Sequence, residues 1–188
     1  TGLLLHGDGQ TIDSSGDYYS IWGLAFPRSR DEQTSSAPES GYVFGATGGA
    51  SLYRAAMLQE IGLFDPDFFA YYEDVDMPGF AKYQMFKNLP QLFWKNVPPG
   101  LLLTIGWRFK VVYLMMFFNA FRQKSGWPAL KGVAAGVWYA VKSLAKRSDV
   151  HKLRKVTATY IDSIIYQDLP PSQKGRLRKL VRRGRATS

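Results

Sequence analysis

No cysteine occurs among the 188 residues, so disulfides, thiolate metal sites and a cysteine nucleophile are excluded. A cysteine-free chain fits a reducing compartment. No stretch supplies the ~20 consecutive apolar residues that a membrane-spanning helix needs. The longest uncharged run near the middle, residues 111–121, is half that length. A secretory signal is also missing: Thr1-Gly2-Leu3-Leu4-Leu5 has no basic start, and the apolar run ends at His6-Gly7-Asp8. With no methionine at position 1, the expectation is an internal piece of a longer protein. No internal repeat is visible.

What remains is a folding composition. Hydrophobic residues make up 46% and aromatic residues 15%, enough for one ordinary domain with a core and appended segments. A disordered chain would carry far fewer aromatics. The formal charge of +9 hides a division. Residues 1–76 hold three basic residues (Arg28, Arg30, Arg54) against twelve acidic ones, a net of −9. Residues 77–188 hold 21 basic and three acidic residues, a net of +18. The acidic part is suited to metal binding or acid/base work, and the basic part to an anionic surface, either acidic lipid or nucleic acid.

Glycine and proline set the punctuation. Residues 1–41 read as loop and short strand, with an apolar patch at 18–26 and an exposed polar connection at 27–40. Tyr42-Val43-Phe44 is strand-like. After Gly48-Gly49, the four-residue spacing of Tyr53, Met57 and Ile61 predicts a helix with one apolar face. Ser51 is a candidate N-cap, and Gly62 a candidate left-handed C-cap with Leu63 and Phe64 folding back. Asp65-Pro66-Asp67 reads as a turn, and Phe68-Phe69-Ala70-Tyr71-Tyr72 leads into Glu73-Asp74-Val75-Asp76. Beyond Pro78-Gly79 the pattern is helical: 80–96 interrupted by Pro90, then 101–121, 130–144 and 157–169. The helix at 157–169 places Ile161, Ile164 and Ile165 on one face. The tail at 174–185 is basic, with Leu177, Leu180 and Val181 at helical spacing.

The order and spacing of Phe44-Gly45-Ala46-Thr47-Gly48-Gly49-Ala50-Ser51, then Ile61-Gly62-Leu63-Phe64-Asp65, then Phe69-Ala70-Tyr71-Tyr72-Glu73-Asp74-Val75-Asp76 covers about thirty residues. It resembles family-2, inverting GT-A glycosyltransferases, most of all the rhamnosyltransferase-like members of bacterial surface polysaccharide assembly. The likeness extends upstream through Gly16-Asp17-Tyr18 and downstream through Lys87-Asn88-Leu89-Pro90 and Phe93-Trp94-Lys95-Asn96. It implies transfer of a sugar, with inversion, from a nucleotide-sugar to a lipid-linked or polysaccharide acceptor in cell-surface glycan biosynthesis. Asp74 would be the catalytic base that takes the acceptor's proton. Gly48, Gly49, Ala50, Glu73 and Asp76 would border the substrate. A divalent cation, Mg²⁺ or Mn²⁺, would sit on the donor diphosphate with its main ligands outside this chain.

The residues alone leave alternatives open. Crowded carboxylates beside aromatic rings raise one another's pKa, as a general base requires, but the same acids serve equally to cap a helix start. Gly48-Gly49 fits either a backbone brought close to a substrate or a tight turn. Arg54 is expected to pair with the nearby acids. Asp65-Pro66-Asp67 has the form of an Asp-x-Asp metal motif but stands in the wrong place for the family's own.

Two departures bear on activity. The family's nucleotide-binding half, a βαβ arrangement ending in the metal-binding motif, would precede Thr1. A helix, a strand and a metal-binding histidine would normally separate the Glu-Asp-x-Asp run from the segment found here at 79–96. Instead Pro78-Gly79 comes almost at once, and neither His6 nor His151 is in that place. A segment is therefore expected to be missing after Met77, and the chain is expected not to catalyse transfer alone. The fold expectation is a mixed α/β remnant of a GT-A domain over 1–77, with basic, amphipathic helices over 78–188. Trp94, Trp107, Trp127 and Trp138 among Lys95, Arg108, Lys110, Lys124, Lys131 and Lys142 fit helices lying in an anionic membrane interface. The expected location is peripheral to a membrane, and the resemblance implies its cytoplasmic face. A non-catalytic membrane-surface module is the alternative, and nucleic acid is disfavoured because no recognition motif accompanies the charge.

Overall fold

A computed structural model describes residues 1–65, 67 and 78–175, with the backbone alone at 78–79. The architecture is mixed α and β, divided into two compact units. One combines residues 1–52 with the chain from 163 onward, and the other runs from Tyr53 to Asp162.

The first unit is built on two antiparallel hairpins, β1 (Leu4–Leu5) with β2 (Ile12–Ser14), and β3 (Asp17–Tyr19) with β4 (Ala25–Pro27). Asp8 organises the first turn: its carboxylate accepts the backbone N–H groups of Gln10 and Thr11 at 2.9 Å and the Thr11 hydroxyl at 2.6 Å. Tyr166, returning from the far end of the chain, donates its N–H to the Tyr19 carbonyl and accepts the Ile21 N–H, each at 2.8 Å. Ile12, Tyr19, Ile21, Leu24, Ile165 and Leu169 are buried. The strand expected at Tyr42-Val43-Phe44 is absent. Only Gly45 pairs, exchanging both backbone hydrogen bonds with Asp17, because Tyr42 is fully exposed and gives a strand no packing face.

The second unit is helical: α1 (Ala55–Ile61), α2 (Pro78–Asn96), α3 (Leu102–Arg122), α4 (Gly126–Leu153) and α5 (Ala158–Ile164). Helix α1 starts later than expected. Arg54 stands at its N-cap, while the Ser51 hydroxyl turns back to the Thr47 carbonyl. Its expected apolar face is not buried, and Tyr53 and Ile61 are exposed. Gly62 has a positive φ of +88°, but with ψ at 173° it does not form the left-handed cap expected, and Leu63 and Phe64 beyond it stay exposed. At the other end, α5 stops at Ile164 rather than continuing to 169, because Tyr166 leaves to pair with Ser20.

Pro90 does not interrupt α2. Proline cannot donate the N–H that would bond the carbonyl four residues back. That carbonyl, on Phe86, is satisfied instead by the Tyr113 hydroxyl of α3 at 2.8 Å. Helices α2 and α4 run the same way at very close range. A Cβ on Gly132 would lie 2.5 Å from the Tyr83 carbonyl oxygen, and one on Gly136 2.6 Å from that of Phe86. Ala129, Gly132, Gly136, Ala140 and Ser143 are the buried small residues of this stripe, while Gly126 lies against the Phe121 ring of α3. Helix α3 runs back against α2 through large rings: Phe93 stacks on Phe109 at 4.8 Å, and Phe86 meets Tyr113 and Phe117 edge-on.

The polarity of this unit is unusual. Every residue from Gln84 to Leu89 is buried, including Gln84, Lys87 and Asn88, and Gln91 is completely so. The Gln91 amide donates to the Lys87 carbonyl, and the Lys87 ammonium sits 4.9 Å from the Tyr139 ring centroid. Burial lowers the Lys87 pKa.

Candidate functional site

Glu73, Asp74 and Asp76 lie outside the described residues, so the structure is built up to them from either side. The aspartates just upstream are fixed firmly. Asp65 accepts Lys95 from α2 and Lys146 from α4, the latter at 2.7 Å. Asp67 accepts Lys142 at 3.0 Å and Lys146 at 2.7 Å, and its own N–H bonds the Asp65 carboxylate at 3.1 Å. That last bond makes the turn expected of Asp65-Pro66-Asp67. Burial works to raise the Asp65 pKa, but the hydrogen bonds from Lys146, Lys95 and the Asp67 N–H outweigh it and hold the carboxyl well below its usual range. Hydrogen bonds from Lys146 and Lys142 depress Asp67 as well, and the same contacts raise Lys146.

Two carboxylates with three ammonium groups form a net-positive knot, which repels a cation. Among the described residues, no group of three or more histidine, aspartate or glutamate side chains is arranged to hold a metal ion. His6 lies 3.4 Å from Asp31 and 3.8 Å from Asp13, but Arg30 already binds Asp13. Burial lowers the His151 pKa, with Arg147 and Arg154 adding to the effect. The cation that the resemblance implies thus finds no fitting ligand set among the described residues.

Arg54, the partner expected for the acids, makes no ion pair among the described residues. The acids of 73–76 that it is expected to meet lie outside the described residues; Asp65 and Asp67 are held by lysines at sequence separations of 30 to 81. No local spacing could have found them. The only signal was the opposite charge of the two halves.

Gly48 and Gly49 form a turn, in which neither has a positive φ, so handedness does not explain the choice of glycine. A Cβ on Gly49 would come within 3.0 Å of Leu4 Cδ1, which is tight. One on Gly48 would meet nothing within 4 Å. Gly48 therefore presents bare backbone to open space. Ala50 is fixed by its carbonyl, which accepts the Gly2 N–H at 2.9 Å and the Thr1 hydroxyl at 3.3 Å.

The tryptophans of the basic region fall where a surface can reach them. Trp107, Trp127 and Trp138 are well exposed and Trp94 less so. The Arg108 guanidinium covers the Trp107 ring at 4.6 Å, and the Lys131 ammonium the Trp127 ring at 5.3 Å. As a helix, Pro99–Arg122 is long and apolar enough to cross a membrane by length and composition, although no unbroken apolar run of that length exists. Averaging along the helix tolerates Arg108 and Lys110, which a search for consecutive apolar residues does not.

Set beside known proteins, the chain matches no family model, no curated protein and no solved structure.

Proposed function

We propose that this chain is the acceptor-side part of an inverting GT-A glycosyltransferase, with Asp74 as the base. The reading is carried by one observation: the ordered Gly48-Gly49 to Glu73-Asp74-Val75-Asp76 run. Two structural features support it. Gly48 offers backbone with open space where a side chain would stand, as a close approach by a sugar or acceptor requires. The lysine knot on Asp65 and Asp67 anchors the chain directly before the aromatic-acidic segment, so that segment starts from a fixed point.

In the reaction, the acceptor hydroxyl oxygen attacks the anomeric carbon of a nucleotide-sugar from the side opposite the diphosphate. The new C–O bond forms as the bond to the diphosphate breaks, inverting the centre. The hydroxyl proton passes to the Asp74 carboxylate, and the electron pair leaves on the diphosphate. The donor site and the cation's ligands are assigned to residues outside this chain, and no role of Asp74 depends on them.

The test is transfer from nucleotide-sugars to a lipid-linked acceptor with Mg²⁺ or Mn²⁺, using the longer protein that carries this segment. Positioned general-base catalysis contributes about 10²–10⁴-fold, so Asp74→Asn should lower turnover by at least about a hundredfold with little change in acceptor binding. Undiminished transfer by that variant removes Asp74 from the mechanism. A non-catalytic membrane-surface module is the second reading, favoured by the exposed tryptophans with their covering cations.

A further inference from the structure

Residues 78–148 hold eleven lysines and arginines and not one aspartate or glutamate; of the eleven, Lys95, Lys142 and Lys146 are paired with Asp65 and Asp67, and Lys87 is buried. Over the same stretch, the helices bury polar side chains beside their apolar core of Phe86, Leu89, Phe93, Ile105, Phe109 and Val112. Gln84, Lys87, Asn88 and Gln91 face inward, and the Gln84 and Gln91 carbonyl oxygens are buried without a partner. The outside is apolar. On α3, the residues Leu103 (89% exposed), Trp107, Val111, Leu114 and Phe118 follow one another at three- and four-residue steps. On α4, the stripe is Trp127, Leu130, Val137, Trp138 (72% exposed) and Val141. Each stripe lies opposite the face its helix turns to α2, where Ile105, Phe109 and Val112 of α3 and Gly132, Gly136 and Ala140 of α4 are buried. Two helices of apolar exterior far exceed the patches that a water-facing surface ordinarily tolerates.

We propose that the α3–α4 hairpin embeds its outer face in one leaflet of an anionic bilayer, lying along the interface rather than crossing it. This deepens the membrane-surface reading and does not rest on sugar transfer. Charge selects the occupant. A second copy of the chain would bring two acid-free, basic faces together, and nucleic acid would leave the apolar stripes without a partner. An anionic leaflet satisfies both, accepting the stripes among acyl chains and the cations at the phosphates.

The positions of the cations set the posture. Arg108 and Lys110 lie below the uncharged run of α3, Arg122 and Lys124 lie above it, and Lys131 interrupts α4. Eleven residues of helix span about 16 Å, roughly half of the ~30 Å hydrocarbon core, so a spanning α3 would carry cations into the bilayer interior. Lying flat, every one of them reaches the headgroups along its own methylene stem. Arg108 over the Trp107 ring and Lys131 over the Trp127 ring each pair a cation with an exposed aromatic, the combination an interface takes up.

The absence of cysteine makes the test direct. Single cysteines at Phe118, Val137 and Gln59 in the full chain, each carrying an environment-sensitive fluorophore, are mixed with phosphatidylcholine vesicles with or without about one-third phosphatidylserine. The expected result is flotation with the anionic vesicles only. Emission should shift to the blue at 118 and 137 and not at 59, with quenching stronger from shallow than from deep brominated lipid. Lys131→Gln should weaken partitioning about fivefold. Val137→Asp, at an exposed position that leaves the fold intact by circular dichroism, should abolish it. No flotation, equal flotation with neutral vesicles, or deepest quenching at the bilayer centre each overturns the proposal. So does a stable dimer that Val137→Asp dissociates. Flotation without sugar transfer counts against the proposed enzymatic function alone, and transfer by a protein that never floats counts against this inference alone.

Discussion

The two units of this chain differ in what they leave outside. In the hairpin unit, Ile12, Tyr19 and Leu24 are inside and the polar connection at 27–40 is outside, the arrangement water imposes. In the helical unit, Gln91 is completely buried while Trp138, Val137 and Val141 face outward. A single chain cannot optimise both patterns against one solvent. The difference teaches that the helical unit keeps an apolar core (Phe86, Phe93, Ile105 and Phe109) and close α2–α4 backbone contact beneath an exterior that is itself largely apolar. Many of its other large apolar side chains are left for something else to cover.

The sharpest way to break that contrast is to push α2 and α4 apart. Gly132→Ala would set a methyl 2.5 Å from a backbone oxygen that has no rotamer to retreat into. Overpacking costs about 1–3 kcal/mol, and a rigid backbone neighbour puts this site at or above the upper end. Helix propensity returns about 1 kcal/mol on replacing glycine by alanine. A net loss of about 2 kcal/mol is expected, read from urea unfolding of the helical circular dichroism signal. Gly106→Ala on α3 is the control. Its Cβ would meet the tip of the Phe93 ring at 3.3 Å and no backbone atom, a milder overlap, so with the propensity gain set against it the variant should lose clearly less stability than Gly132→Ala. Equal destabilisation by both would mean that the small-residue stripe of α4 is not what sets the helix spacing.

That stripe marks where the sequence was readable and where it was not. Periodicity found α2, α3 and the core of α4, because one helix face is apolar whether it meets protein or lipid. It did not find the stripe's purpose, since Gly132 and Gly136 look like helix-weakening residues until a partner backbone is seen against them. Pro90 misled for a related reason: the hydroxyl that replaces its missing N–H comes from Tyr113, 27 residues from the Phe86 carbonyl it serves. Tyr42-Val43-Phe44 had β propensity without a surface to pack on. Of the candidate site, the turn at Asp65-Pro66-Asp67 and the glycine pair were legible locally, whereas the lysines that hold the turn were not. Glu73, Asp74 and Asp76 rest on the sequence resemblance alone.

The lysine knot offers the next largest effect. Asp65→Ala leaves Lys95 and Lys146 beside Asp67 without their shared acceptor, at an expected cost of about 1.5 kcal/mol for lost charge-assisted hydrogen bonds. The pH dependence has a definite sign. Asp65 and Asp67 are depressed in the folded state, so their contribution is complete above the unfolded carboxylate value of about 3.9 and is lost as pH falls through the lower folded values. Lys146 is raised, so its contribution holds up to the ordinary lysine range and disappears only above it. Acid unfolding of the helical unit should therefore shift to higher pH in the Asp65→Ala variant. An unchanged acid midpoint would show that the knot adds nothing. Tyr113→Phe should cost less, about 1 kcal/mol, by leaving the Phe86 carbonyl unpaired beside Pro90. Removing Pro90 together with that hydroxyl, as Pro90→Ala with Tyr113→Phe, should recover most of the loss, because an alanine N–H can bond the same carbonyl.

The smallest effect belongs to the hairpin unit and tests whether it titrates on its own. The Asp8 carboxyl is lowered to about 2 by the Thr11 hydroxyl, then by the backbone N–H groups of Gln10 and Thr11. A depressed acid stabilises the folded turn above the unfolded carboxylate value near 3.9 and loses that contribution as pH drops toward 2. The side chain is exposed, so the change should be confined to the turn. Amide exchange at Gln10 and Thr11 should rise in that window while the helical signal is unaffected. Asp8→Asn keeps one acceptor oxygen but cannot ionise, and should abolish the pH dependence without unfolding the hairpin. If exchange at Gln10 instead follows the acid midpoint of the helices, the two units unfold as one. Their different exteriors would then belong to a single cooperative structure.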